Sequence, residues 1–207
     1  MDSGFKQTID IILASGSPRR KELFEKAGLN FTVMVSDDEE YTEKKSPAEY
    51  VTELAVNKGR SVVTSFLETG DKSRKLIVSA DTIVVGPDGD ILGKPADKAA
   101  AVRTLMELSG KVHKVYTGVA WHIVEDGVVT EKKSFYEATE VEMCPYDQET
   151  AEAYVLTGEP MDKAGAYGIQ GLGMYLVKEI RGDYNPVVGF PMAEFLRKAA
   201  KENLVRL

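Results

Sequence analysis

Cysteine is nearly absent from this chain of 207 residues: Cys144 stands alone, which excludes an internal disulfide. Histidine is almost as scarce, and His113, His122 and one cysteine, scattered as they are, do not supply a zinc site. That usage points to a reducing, cytoplasmic setting. Basic charge is in deficit, with 26 Lys and Arg against 33 Asp and Glu for a net charge of -7, so a broad attraction to nucleic acid or an anionic membrane is excluded. No apolar run approaches the roughly 18 residues of a membrane span. The short run from Ile9 stops before Gly16 and Pro18, which predicts no export signal. The GxxxxGK[ST] phosphate loop is also missing. An anionic substrate would therefore have to meet a local basic cluster.

What is present is a chain that is 43% hydrophobic and 29% charged, enough to bury one sizeable core, and residues 1–207 are read as a single domain. Ile9 to Ala14 reads as a buried strand that turns at Ser15, Gly16 and Ser17 into a helix with Pro18 at its first position and Gly28 as its stop. Phe31 to Val35 suggests a second strand. Ser46, Pro47 and Glu49 form a cap, first position and capping-box acid for a helix reaching about Leu67. Leu76 to Val85 reads as a strand interrupted by the polar stretch from Ser79 to Thr82, with Pro87 to Asp90 turning it into a hairpin. Asp97 can cap a helix that ends near Gly110. Two long antiparallel strands follow, Val112 to Val124 and Val128 to Met143, then a helix from Asp147 to Leu156, a strand from Met174 to Ile180 and a closing helix from Met192 to Leu204. The sum is a mixed α/β protein without repeats.

Four segments carry chemistry. The Ser-Gly-Ser turn opening a helix that begins Pro18-Arg19-Arg20 joins free backbone N–H groups, hydroxyls and guanidinium forks, the parts from which phosphate sites are made. Arginines at a helix N-terminus oppose the macrodipole, so an anion is expected there; the bland reading is an ordinary cap with solvated arginines. Asp81 lies in an apolar strand, where an unpaired carboxylate would cost several kcal/mol, so it needs a cation, a metal or a task. Lys94 follows a short strand in Ile-Leu-Gly-Lys-Pro. The segment Gly158 to Gly171 packs glycines at 158, 165, 168 and 171 around Lys163 and Gln170, and a planar base pressed against those glycines is one reading of it. The histidines are assigned no role, and the run from Asp37 to Glu40 reads as an acidic turn.

Taken together, SGSPRR at 15 to 20, SADTIVV at 79 to 85, LGKP at 92 to 95 and DKAGAYGIQG at 162 to 171, joined by LSGKVHKVYTGVA and followed by NPVVGFP, closely resemble the Maf family over nearly the whole chain. The resemblance implies a fold like that of inosine triphosphate pyrophosphatases, two lobes of a twisted mixed sheet with flanking helices around a nucleotide cleft. It implies metal-dependent hydrolysis of a nucleoside triphosphate to monophosphate and pyrophosphate, a house-cleaning of nucleotide pools, and it allows a homodimer. In the family pattern Asp81 is the proton acceptor for the attacking water or a ligand of the metal that activates it. Ser17, Arg19, Arg20, Lys58 and Lys94 match phosphate-binding positions. Glu40 matches an acidic metal-binding position, with Glu39 as the alternative, and magnesium or manganese suits such oxygen ligands. Arg19, Thr82 and Gln170 match positions linked to substrate choice, and the AYGIQG wording resembles the branch acting on dTTP and UTP. Purine or modified nucleotides are the competing substrate class. A nucleotide-binding regulator of cell division is the competing function. Two departures from the family pattern stand out: Ser79 where glycine is common, and a long loop from Glu68 to Lys75.

Overall fold

The computed structural model of the chain describes residues 6–35 and 41–206. In chain order the strands are β1 (Lys6–Gln7), β2 (Asp10–Leu13), β3 (Phe31–Val33), β4 (Lys75–Val85), β5 (Ile91–Leu92), β6 (Val112–Glu125), β7 (Val128–Met143), β8 (Val177–Arg181) and β9 (Val205–Arg206). The helices are α1 (Pro18–Lys26), α2 (Pro47–Glu68), α3 (Lys98–Leu108), α4 (Gln148–Leu156), α5 (Tyr184–Val188) and α6 (Met192–Lys201). Among the described residues, seven strands form one mixed sheet in the order β3-β2-β4-β6-β7-β8, with β5 paired to β4. The expected mixed α/β class with flanking helices is what is found.

The chain divides into two compact units, and β4, β6 and β7 each run from one into the other. The first unit takes the described residues up to Asp81, Thr117–Tyr136 and those from Gly189 onward. In it β2 pairs in parallel with β3 and with β4, Leu13 lying opposite Val33 and Val78. Its core includes a cluster of rings: Phe24 meets Phe190 edge-on with centroids 4.8 Å apart, and Phe195 meets Trp121 at 5.8 Å. The second unit, Thr82–Tyr116 with Glu137–Val188, packs Leu105, Leu108, Val115, Val141, Tyr154 and Leu176 into its own core.

Most elements fall where the sequence puts them, and the differences have local causes. Strand β4 is unbroken through Ser79 and Asp81, because both polar side chains find partners on α2. Ser46 stands at the N-cap of α2 but its side chain makes no capping hydrogen bond, so the capping box is not formed; Asp97 does cap α3, accepting from the Ala100 N–H at 2.7 Å. The strand expected from Met174 starts only at Val177, since Leu172–Leu176 coils into a 3-10 turn. The closing helix stops at Lys201, Asn203 adopts a left-handed φ of 57°, and β9 then pairs antiparallel with β1, a pairing that two two-residue strands do not announce.

Candidate active site

The first unit gathers its polar groups past the carboxyl end of β2 and past the stretch of β4, Lys75 to Val78, that pairs with it in parallel, the side of an open α/β sheet on which ligands bind. The Ala14 N–H bonds the Val78 carbonyl at 2.7 Å, so the pairing of the two strands ends just before the turn from Ser15 to Ser17 and three residues before Asp81.

The turn is held by a residue that the sequence reading left in the background. Ser15 is buried, and its Oγ accepts both the Ser17 N–H at 3.3 Å and the Arg20 Nη1 at 3.2 Å. Arg20 Nε also donates to the Gly189 carbonyl at 2.8 Å. The guanidinium is thereby fixed from two sides. Ser17 takes the N-cap position of α1 with extended φ and ψ, and its side chain forms no cap bond; Arg19 lies half-buried on the first helical turn.

Asp81 is 7% exposed, and its Oδ1 accepts a 2.6 Å hydrogen bond from Lys58 Nζ. Strand alternation puts residues 79 and 81 on one face of β4, and helical periodicity puts residues 55 and 58 on one face of α2. The two faces meet. Ser79 Oγ donates to the Ala55 carbonyl at 2.7 Å two residues before the Lys58–Asp81 pair closes. The close approach also needs Gly59, where a Cβ would lie 2.6 Å from Ser79 Oγ and 2.8 Å from the His122 ring. A second contact needs Gly118, whose Cβ would lie 2.5 Å from the Val51 carbonyl oxygen. The Lys58–Asp81 pair is thus placed by a helix seated directly on strands.

Thr82, Lys94 and Gln170 belong to the second unit. Thr82 is half-buried on β4, Lys94 is exposed after β5, and Gln170 is half-buried in the glycine-rich segment. The Gly93 carbonyl accepts the Gly165 N–H at 3.2 Å, which ties the chain beside Lys94 to that segment. Lys163 is turned inward within its own loop, donating to the Glu159 carbonyl and to Asp162 Oδ1, each at 2.6 Å. Three of the segment's glycines pack closely against the chain itself. A Cβ at Gly165 would meet Val84 at 2.9 Å, at Gly168 the Lys163 Cε at 2.7 Å, and at Gly171 the Glu159 Oε2 at 2.4 Å. They admit the chain's own side chains.

Glu40 and Glu39 lie outside the described residues. Among the described residues no three His, Cys, Asp or Glu side chains form a group able to cage a metal. Asp81 offers a hard carboxylate donor, and magnesium is commonly held by one or two carboxylates together with substrate phosphates, so this donor set fits a cation that arrives with its nucleotide. Among the described residues no helix is long and apolar enough to cross a membrane.

The family model described as Maf-like protein matches residues 10–202. The chain belongs to that family. A dTTP/UTP pyrophosphatase of Bacillus anthracis is 47% identical over 195 residues, covering 94% of this chain and 96% of that protein. Another dTTP/UTP pyrophosphatase, from Agathobacter rectalis, is 42% identical over 197 residues, covering 92% and 96%. Among solved structures, a nucleoside-triphosphatase / dITP/XTP pyrophosphatase from Mycobacterium abscessus aligns over 95% of this chain and 96% of its own at 14% identity, with a TM-score of 0.44, a likeness too low to carry a conclusion.

Proposed function

We propose that this member of the Maf family hydrolyses nucleoside triphosphates, dTTP and UTP before others, to the monophosphate and pyrophosphate. The observation that carries the reading is the buried Asp81, ion-paired with Lys58 at 2.6 Å in the same unit as a serine turn whose Arg20 is fixed from two sides. The names of the relatives at 42% and 47% identity support the substrate class.

In this reading water attacks the α-phosphorus and pyrophosphate leaves. Asp81 accepts the proton of the water, and Lys58 holds the carboxylate in one orientation and balances its charge until then. Arg19, Arg20, Lys94 and the Ser17 turn bind phosphate oxygens, so that fixed charge meets the charge developing on the leaving group. A divalent cation, Mg²⁺ or Mn²⁺, when held by Asp81 and Glu40, supplies Lewis-acid polarisation of the phosphate and a lowered water pKa. The Gln170 amide, one donor and one acceptor, matches the O4 and N3–H edge of uracil and thymine, with Arg19 and Thr82 contributing to the choice. The single cysteine and net charge of -7 suit a cytoplasmic enzyme that releases anionic products.

The test is pyrophosphate release from a panel of nucleoside triphosphates with Mg²⁺ or Mn²⁺. Preference for dTTP and UTP is expected, with kcat lowered about 10² to 10⁴-fold in Asp81→Asn, the range for loss of a general base. Purine preference would overturn the role of Gln170. Nucleotide binding without turnover would replace the enzyme with a nucleotide-responsive regulator.

A further inference from the structure

The glycine-rich segment of the second unit folds around a carboxylate, and that carboxylate has no place in the reaction above. Glu159 opens a 3-10 turn behind Gly158. Its Oε1 accepts from Tyr154 Oη at 2.8 Å and from the Gly173 N–H at 3.2 Å, and its Oε2 accepts from the Leu172 N–H at 2.8 Å. Tyr154 Oη in turn accepts the Gly168 N–H at 3.0 Å. Burial pushes the Glu159 carboxyl up, but the hydrogen bonds from Tyr154, Leu172 and Gly173 outweigh it and hold the group below the ordinary glutamate value, so it is an anion at neutral pH.

Two anchors result, one at Gly168 through Tyr154 and one at Leu172 and Gly173 through Glu159. Only residues 169, 170 and 171 lie between them. The packing closes the same span: a Cβ at Gly173 would lie 2.5 Å from both the Gly168 carbonyl oxygen and Tyr154 Oη, and one at Gly171 would lie 2.6 Å from the Glu159 Cδ. A three-residue span fixed at both ends has few conformations left, and Gln170 is its middle residue. An amide that separates bases by one donor and one acceptor works only if its backbone is held to within about half an ångström.

We infer that Glu159, acting together with Tyr154, is the positioning residue that fixes Gln170 for base selection; this rests on the reading of Gln170 as the base-recognising residue. Neither side chain need touch the nucleotide. The carboxylate is required because one side chain must receive three donors at two oxygens. Glu159→Gln keeps the shape but leaves a single acceptor oxygen for three donors, so at least one of those hydrogen bonds is lost. Phenylalanine at 154 removes the Gly168 anchor and leaves the other.

The test measures kcat and KM for UTP and GTP in the wild type, Glu159→Gln, Tyr154→Phe, Gln170→Ala and Glu159→Gln/Gln170→Ala, with a thermal melt of each. In Glu159→Gln the selectivity for UTP is expected to fall about tenfold, the size of one lost charge-assisted hydrogen bond, through a raised KM for UTP and with kcat within about threefold of wild type. Tyr154→Phe should move selectivity in the same direction by less. In the Gln170→Ala background, Glu159→Gln should cost no further selectivity, because it acts through the amide already removed. If Glu159→Gln does not fold, the comparison passes to Tyr154→Phe, in which unchanged selectivity overturns the inference. A folded Glu159→Gln with wild-type selectivity, or losses that multiply in the double variant, overturns it while the main reading stands. If the wild type lacks pyrimidine preference, or Gln170→Ala keeps it, the role of Gln170 and this inference fall together while the hydrolysis stands.

Discussion

Each unit has to hold a polar side chain in one place, and they do so by opposite means. The first seats helix α2 on β4 and β6 until backbone nearly touches backbone, and Lys58 reaches Asp81 as a consequence of that distance. The second pins a loop by hydrogen bonds to Glu159 and Tyr154. A placement made by packing is sensitive to added volume and tolerant of small polar changes. One made by hydrogen bonds is broken by an isosteric replacement that loses a single acceptor. The comparison breaks if the two kinds of substitution have the same effect in both units.

Gly118→Ala should do the most damage. Its Cβ would lie 2.5 Å from the Val51 carbonyl oxygen and 2.9 Å from the Thr52 nitrogen, and backbone atoms cannot rotate away. We expect a loss of about 3 kcal/mol, the upper part of the overpacking range, and a drop in kcat as the helix carrying Lys58 shifts. Urea denaturation and steady-state kinetics check both; wild-type stability would show that the helix can move without cost.

Acid should follow, and it strikes both units. Burial holds the His113 and His122 imidazoles at about 4 instead of 6.5, with Lys132 and Arg60 adding to the effect at His122. The unfolded chain binds a proton at each below pH 6.5, while the folded chain does so only near pH 4. Stability is therefore unaffected by these groups above pH 6.5 and falls between 6.5 and 4. At pH 5 the loss is about 2 kcal/mol for each histidine. Denaturation at pH 7 and pH 5 should show that drop shrinking by about that amount in His113→Gln and again in His122→Gln; an undiminished drop would assign the acid sensitivity elsewhere.

How legible these features are in the sequence depends on how local their causes are. The helix from Pro47, the Asp97 cap and the turn at residues 126 and 127 are set by neighbours in the chain and can be read directly. The need of Asp81 for a cation also follows from its apolar surroundings, though the choice of Lys58 came from the family resemblance. The spacing that joins them, 79 and 81 on a strand against 55 and 58 on a helix, is visible only once both elements are known to pack together. The glycines of residues 158 to 171 are hard to read for a related reason: glycine reports that something comes close, not what. Here the close neighbours of Gly165, Gly168 and Gly171 are Val84, Lys163 and Glu159. Strands β1 and β9 carry no signal because two residues hold no periodicity.

Gly59→Ala sharpens the packing side of the comparison. Its added Cβ would meet side chains, Ser79 Oγ at 2.6 Å and the His122 ring at 2.8 Å, which can give more than backbone can. Replacing a helical glycine by alanine also returns about 1 kcal/mol of propensity, so the net loss should be about 1 to 2 kcal/mol. Ser79→Gly in the same chain removes one of the two collisions, and part of the lost stability should return; strict additivity of the two substitutions would mean that Ser79 and Gly59 do not meet.

The smallest effect tests whether hydrogen bonding helps to hold helix α2 on β4 in the first unit. Ser79→Ala deletes the 2.7 Å bond to the Ala55 carbonyl, an oxygen inside α2 that keeps a helical position, and leaves the close contacts at Gly59 and Gly118 in place. If packing sets the distance between α2 and β4, stability should fall by about 1 kcal/mol while kcat stays within about twofold, because Lys58 still reaches Asp81. A kcat loss as large as that of Gly59→Ala would mean that the hydroxyl holds the helix, and the contrast between the units would reduce to one of degree.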